Sequence, residues 1–192
     1  MDAVGFNSVV FDLGNVLIEW NPRLLLSDEF IAETDFFTWN AELDQGASFD
    51  AVVARVRADF PDFAHECDAF RDRWPDLLGP VDDAVVAIVD ELQSDGVRTY
   101  LLSNSSAETV PRSPVATDLL TRFDGVLLSG DVGILKPDPA IFRLAEERFG
   151  LDPPRTLFID DSQANVDAAT ACGWRGHHFT EAGLIPVGGR SS

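Results

Sequence analysis

Four polar stations along this chain carry residue types that do chemistry: Asp12, the pair Ser103-Asn104, Lys136, and the pair Asp160-Asp161. Three carboxylates gathered in one place repel one another strongly unless a cation lies between them. A hard, oxygen-ligated ion, most simply Mg²⁺, resolves that conflict and also bridges to phosphate. In such a setting Asp12 attacks phosphorus, Lys136 neutralises the developing charge, and the Ser103 hydroxyl with nearby backbone N–H groups holds a phosphoryl oxygen. Lysine usage sharpens the reading, because of the 14 basic residues Lys136 is the only lysine and the rest are arginine. A compact ammonium with rotating donors meets an aspartate and a phosphoryl oxygen in a way that a planar guanidinium does not.

Each station alone has a plainer explanation. An aspartate after a strand often caps a helix, and Ser103 can simply begin a turn. Lys136-Pro137-Asp138-Pro139 also suits an ordinary helix start with proline in the first turn, and Asp160-Asp161 suits a turn or a cap. The stations gain meaning only if the fold brings them together.

The elements that would do so can be read from the hydrophobic pattern. Short β-rich runs alternate with segments of helical period, which predicts an α/β fold: a Rossmann-like parallel sheet with helices on both faces. Strands are expected at Ser8–Phe11, Arg98–Leu102, Gly125–Leu128 and Thr156–Ile159, with a fifth around Trp174 to Phe179. Helices are expected with apolar positions Val85, Ile88, Val89 and Leu92, stopping at Gly96; from Pro139 to Phe149, stopping at Gly150; and from near Gln163 to Cys172-Gly173. All four stations fall at the ends of predicted strands or on the loops after them, and in an open parallel sheet those carboxyl ends share one crevice. Residues 18–80 break the rhythm, with helix-like stretches such as Asp50 to Asp59 and Ala64 to Trp74 but no convincing strand. They form a small α-helical insertion after the first strand, which leaves 1–17 and 81–192 as the core. Trp20, Trp39 and Trp74, with the nearby Phe residues, are most simply the insertion's own core, although Trp39 is also a candidate for substrate contact.

Composition excludes several classes. At 192 residues and 45% hydrophobic content the chain can bury a real core. A net charge of -19 repels polyanions, so nucleic acid and anionic membranes are poor partners, and a phosphate-bearing ligand must be met by a local positive site. Cys67 and Cys172 sit in no metal-ligand spacing and fit a reducing compartment. The residues after Met1 show no positively charged leader before a long apolar run, so a cytoplasmic location is expected. The polar tail at 188–192 is expected to fray. His65, His177 and His178 have no partner at metal-ligand spacing and receive no catalytic role. Oligomeric state is not legible.

The segments Phe11-Asp12-Leu13-Gly14-Asn15-Val16, Leu101-Leu102-Ser103-Asn104, Gly133-Ile134-Leu135-Lys136-Pro137-Asp138-Pro139 and Phe158-Ile159-Asp160-Asp161-Ser162 together resemble the four ordered motifs of the haloacid dehalogenase-like hydrolases. The insertion resembles that superfamily's type 1 cap. The resemblance implies Asp12 as nucleophile, the Gly14 carbonyl as a metal ligand, Ser103 as phosphate binder, and Lys136 as the charge clamp. It further implies Asp161 as the principal acidic ligand of Mg²⁺, with Asp160 a second ligand or one acting through water, and Asn104 shaping the phosphate pocket. The substrate it implies is a small phosphorylated metabolite, and the Asp-Leu-Gly-Asn-Val form is similar to sugar-phosphate phosphatases. One departure matters: the phosphatase pattern usually carries a second aspartate two residues after the nucleophile as general acid and base, and here that position is Gly14. Glu19, Glu42 and Asp44 are the candidates to replace it. Two alternatives stand beside the phosphatase: a hydrolytic 2-haloacid dehalogenase, whose chemistry needs no metal, and a non-catalytic phosphate-binding module owing to Gly14.

Overall fold

The computed structural model describes residues 5–182 and 185–186, so the polar tail at 188–192 lies outside the described residues. The chain opens with strand β1 (Ser8–Phe11) and a short strand β2 (Ile18–Trp20), followed by helices α1 (Asp28–Glu33), α2 (Phe36–Asp44), α3 (Phe49–Asp59) and α4 (Ala64–Arg73). Strand β3 (Leu78–Val81), helix α5 (Asp83–Ser94), strand β4 (Arg98–Ser103), helix α6 (Pro114–Leu120), strand β5 (Gly125–Leu128) and a single-turn helix α7 (Ser129–Val132) come next. Helix α8 (Pro139–Phe149), strand β6 (Thr156–Asp160), helix α9 (Gln163–Ala171) and strand β7 (Arg175–His178) complete the described elements.

Five strands form one sheet in the order β5-β4-β1-β6-β7, with every pairing parallel. Successive side chains of a strand point to opposite faces, and here both faces are covered. Val9, Phe11, Leu101, Leu157 and Ile159 pack with Val85, Ile88, Val89 and Leu92 of α5 and with Ala116 and Leu119 of α6. Val10, Tyr100, Leu102 and Phe158 pack on the other side with Ile141, Phe142 and Ala145 of α8 and Ala169 of α9. Burial on both faces is why β1, β4, β5 and β6 read as apolar runs rather than as alternations, each large side chain contributing roughly 1.5–3 kcal/mol, whereas the edge strand β7 is polar and largely exposed. The helix ends follow local chemistry. Asp82 caps α5 by accepting from the amides of Ala84 and Val85, and Asp138 caps α8 by accepting from Ala140 N at 2.8 Å, with Pro139 in the first turn. Gly150 closes α8 in the left-handed conformation at φ +64°, which a side chain would strain.

The inserted segment has its own apolar cluster, centred on Phe30, Phe36, Trp39, Leu43, Phe49, Phe70 and Trp74. Its rings interlock edge to face, with Phe36 and Trp39 centroids 4.7 Å apart and Trp39 and Phe70 5.2 Å apart. Trp39 is buried in that cluster, so the structural reading of this tryptophan holds. Residues 18–80 also contain strands, which the sequence pattern did not announce. β2 and β3 pair antiparallel, Ile18 opposite Val81 and Trp20 opposite Leu78. They escaped notice because they are only three and four residues long, and β3 carries Gly79-Pro80, a dipeptide that ordinarily marks a break. This ribbon sits where the segment leaves and rejoins the sheet, and Leu78 packs against both clusters. No helix among the described residues is long and apolar enough to cross a membrane.

Candidate active site

Three parallel strands end side by side, β1 at the residue before Asp12, β4 at Ser103 and β6 at Asp160. Register fixes them together: Phe11 lies opposite both Leu101 and Ile159, and the Asp12 amide donates to the Ile159 carbonyl at 2.9 Å. Lys136 reaches this point from the loop before α8 with its side chain wholly buried. Its ammonium uses all three donors: to Asp12 Oδ1 at 2.9 Å, to Asp160 Oδ2 at 2.7 Å, and to the Leu102 carbonyl at 2.8 Å. Burial alone would pull the ammonium's pKa down, but the two carboxylates outweigh it and hold the pKa above its usual value.

Asn104, expected to shape the phosphate pocket and bind substrate, lines the cavity and also braces Lys136. Its Nδ2 donates to the Lys136 carbonyl at 2.9 Å, and its Oδ1 accepts from the Lys136 amide at 2.8 Å. Its amide thereby holds the lysine's backbone, with one N–H and one lone pair left over. Asp160 departs from expectation as well. It is fully buried and accepts from Lys136, from Ser162 N at 2.8 Å, and from Asn165 Nδ2 at 2.9 and 3.1 Å. So engaged, it serves as the counter-charge of Lys136, and it also belongs to the group of three carboxylates able to hold a metal ion. The sequence argument placed a metal between the carboxylates, but between Asp12 and Asp160 the structure places Lys136.

The opposite side of Asp12 is open. Asp161 is half-buried, and its Oδ2 accepts only from Asn15 Nδ2, at 3.2 Å, among the described side-chain bonds. Asn15 sits at φ 55° in the Asp12–Ile18 loop, and its Oδ1 accepts from Trp20 N at 3.0 Å, so one side chain ties Asp161 to the start of β2. Among the described residues the Gly14 carbonyl accepts no hydrogen bond. Ligand oxygens of Asp12, Asp160 and Asp161 lie within 4.8 Å of one another. Against the single positive charge of Lys136, three ionised carboxylates leave two negative charges uncompensated. Burial pushes the Asp12 carboxyl up to about 6 despite Lys136, and raises Asp161 too. That deficit and the free oxygen donors suit a divalent hard cation, which Asp12, Asp161 and the Gly14 carbonyl would hold.

These groups line a cavity of about 300 Å³. The sheet side contributes Asp12, Gly14, Asn15, Asp161 and the Ser103–Ser106 loop, and the inserted segment contributes Trp20, Phe37, Asn40, Asp44 and Trp74. Ser103 is buried at the cavity wall with its Oγ 2.8 Å from Ser105 Oγ. Trp39 is not among the lining residues.

Of the acids considered as replacements at the Gly14 position, Glu42 turns away. Arg55 holds it in a two-pronged ion pair at 2.9 and 2.8 Å, which keeps its carboxyl below the usual range. Glu19 lies in a different depression, beside Pro80 and Asp82. Asp44 lines the cavity, and burial pushes its carboxyl up to about 7, with a hydrogen bond from the Ser106 amide opposing and the charge of Asp12 adding.

Sequence reasoning missed three positioning side chains. Asn165, in the first turn of α9, holds Asp160. Ser129, at the end of β5, accepts from Ser105 N at 3.0 Å and donates to the Asp44 carbonyl. His178, set aside above, hydrogen-bonds through Nε2 to the Asp161 carbonyl at 2.9 Å.

Known proteins resemble this chain in sequence and in fold. A sesquiterpene phosphatase, astK, from Aspergillus oryzae is 26% identical over 187 residues, covering 92% of this chain and 91% of the relative. The GMP/IMP nucleotidase YrfG of Escherichia coli is 25% identical over 182 residues, covering 85% and 81%. A phosphoserine phosphatase from Thermus thermophilus is 35% identical over 118 residues, covering 61% of this chain, which spans about half (46%) of that relative's length. In three dimensions, a HAD family enzyme of Bacteroides thetaiotaomicron, solved with magnesium and inorganic phosphate, superposes with a TM-score of 0.65 at 22% identity, covering 90% of this chain and 93% of the other, a likeness of fold. Residues 6–173 match the family described as haloacid dehalogenase-like hydrolase, and the chain belongs to that family.

Proposed function

We propose that this hydrolase is a Mg²⁺-dependent phosphatase that cleaves small phosphate monoesters through an aspartyl-phosphate at Asp12. The observation that carries the reading is the asymmetric environment of Asp12: one carboxylate oxygen is held by Lys136, and the cavity beside it is lined by Ser103 and Asp161. Asp12 attacks phosphorus while Lys136 limits the charge that builds on the reacting groups, and the Ser103 hydroxyl orients a phosphoryl oxygen. Asn104 and Asp160 keep Lys136 in place. A bound Mg²⁺, held by Asp12, Asp161 and the Gly14 carbonyl, supplies charge stabilisation to the phosphoryl oxygens. Residues 18–80 act as a cap domain over a core of 1–17 and 81–192, and a cavity of about 300 Å³ suits a small metabolite rather than a macromolecular phosphate. The free thiols of Cys67 and Cys172 support a cytoplasmic setting.

The test is phosphate release from p-nitrophenyl phosphate and a panel of small monoesters, with Mg²⁺ or with chelator. Wild type should release phosphate only with Mg²⁺, and Asp12→Asn should be slower by on the order of 10⁴-fold or more, the scale seen when one member of a catalytic unit is removed. Folded wild-type protein that releases no phosphate under any metal condition would refute the proposal. Halide release from a 2-haloacid would then favour the dehalogenase.

A further inference from the structure

Gly14 has no side chain to protonate a leaving group, yet the cavity is not short of acids. Asp44 closes helix α2 and lines the same cavity as Asp12. Asn40 Nδ2, one helical turn earlier, orients its carboxylate by donating to Oδ2 at 3.1 Å. Its own carbonyl is latched by Ser129, which also holds the Ser105 amide, so the backbone of Asp44 is fixed to the loop that carries Ser103. Gly130 lets the 105–107 loop lie close against the start of α7, because a Cβ there would fall 2.6 Å from the Ala107 amide and 2.9 Å from the Ser105 carbonyl. Glu42, two residues away on the same helix, is neutralised by Arg55 outside the cavity.

From this placement we infer that Asp44 is the general acid and base of the reaction, supplied by the inserted segment in place of a side chain at Gly14. The inference rests on the phosphatase reading above. In the first step an Asp12 carboxylate oxygen bonds to phosphorus, the phosphorus–ester oxygen bond breaks with its electron pair going to that oxygen, and the oxygen takes the proton of the Asp44 carboxyl. In the second step the Asp44 carboxylate takes a proton from water as the water oxygen bonds to phosphorus. The bond from phosphorus to Asp12 breaks, inorganic phosphate leaves, and Asp44 is protonated again. Burial that holds a proton on Asp44 near neutrality is consistent with this cycle.

The experiment compares wild type, Asp44→Asn and Asp44→Glu in first-turnover measurements with Mg²⁺, using p-nitrophenyl phosphate, whose phenolate leaves without a proton, and butyl phosphate, whose alkoxide does not. Asp44→Asn should slow alcohol release from butyl phosphate by ~10²–10⁴-fold and release from the nitrophenyl ester by less than about tenfold. Intact-protein mass should then show phosphorylated enzyme accumulating in Asp44→Asn with the nitrophenyl ester, because the second step lacks its base. Asp44→Glu, which keeps the proton, should recover part of the butyl phosphate rate. Equal slowing of both esters, or no slowing of butyl phosphate, would overturn the assignment, since a misfolded or merely loosened site does not distinguish leaving groups. If wild type fails to release either product with Mg²⁺, the phosphatase reading falls first and this one with it.

Discussion

The two sides of Asp12 are built on opposite plans. Towards Asp160 the polar groups are firmly held: buried Lys136 uses three donors, buried Asp160 accepts from three residues, and half-buried Asn104 uses both ends of its amide. Towards the inserted segment the carboxylates of Asp161 and Asp44 have few partners, and burial raises the pKa of each. The first side fixes charge in place at the moment of folding. The second leaves charge to be settled by whatever enters. A site that must hold its nucleophile steady while exchanging ions, protons and products needs both, and the fold assigns the first to the sheet and the second to the rim between sheet and cap.

Removing the fixed charge should break this contrast most severely. Lys136→Met leaves Asp12 and Asp160 close together without their cation, and truncating one partner of a buried pair costs about 3–5 kcal/mol. Urea unfolding at pH 7.5 should show that loss, and lowering the pH should recover part of it as the carboxyls protonate. A destabilisation below 1 kcal/mol would mean that the lysine is not the keystone described here.

Asp44 tests the other side. Its folded-state pKa of about 7 lies above its ordinary 3.8, so the native state binds the proton more tightly than the unfolded chain does. Wild-type stability from this group is therefore highest at low pH and declines as pH rises from about 4 through 7. Asp44→Asn has no such carboxyl and should be more stable than wild type at pH 8, by up to a few kcal/mol at ~1.4 kcal/mol per unit of pKa difference. The advantage should shrink to near zero by pH 4. Thermal melts of both proteins across that range read the difference directly, and a constant offset would contradict the proposed burial.

A smaller effect should come from Asn165→Ala, which removes two bonds to Asp160 without touching the cavity. Leaving a buried carboxylate short of a donor costs ~1–3 kcal/mol. The same chemical-denaturation measurement checks it, and an unchanged midpoint would show that Ser162 and Lys136 suffice.

The sheet and its chemical stations were readable in the sequence because parallel strands buried on both faces are unmistakable apolar runs and their carboxyl ends are where sites form. Lys136 was readable because it is unique. What the sequence could not settle was which long-range neighbour each side chain meets. Asn104 beside Ser103 suggests a substrate contact, and only the fold shows that it also braces the backbone of Lys136. Glu42 and Asp44 are equivalent acids on paper, yet two positions on a helix differ by roughly 200°, so one meets Arg55 and the other the cavity. Asn165 and Ser129 are ordinary helix-start residues until their partners appear from 5 and 85 positions away. The β2–β3 ribbon is held by pairing between segments some 60 residues apart, a feature that no local pattern encodes.

The single lysine has a further, practical meaning. Because its ε-amine is wholly enclosed, the folded chain presents no side-chain amine to solvent. An acylating reagent selective for amines should spare this position while the ammonium stays locked between its carboxylates. Slow covalent tagging of Lys136, followed by mass spectrometry, would then act as a clock for how often the heart of the site comes apart.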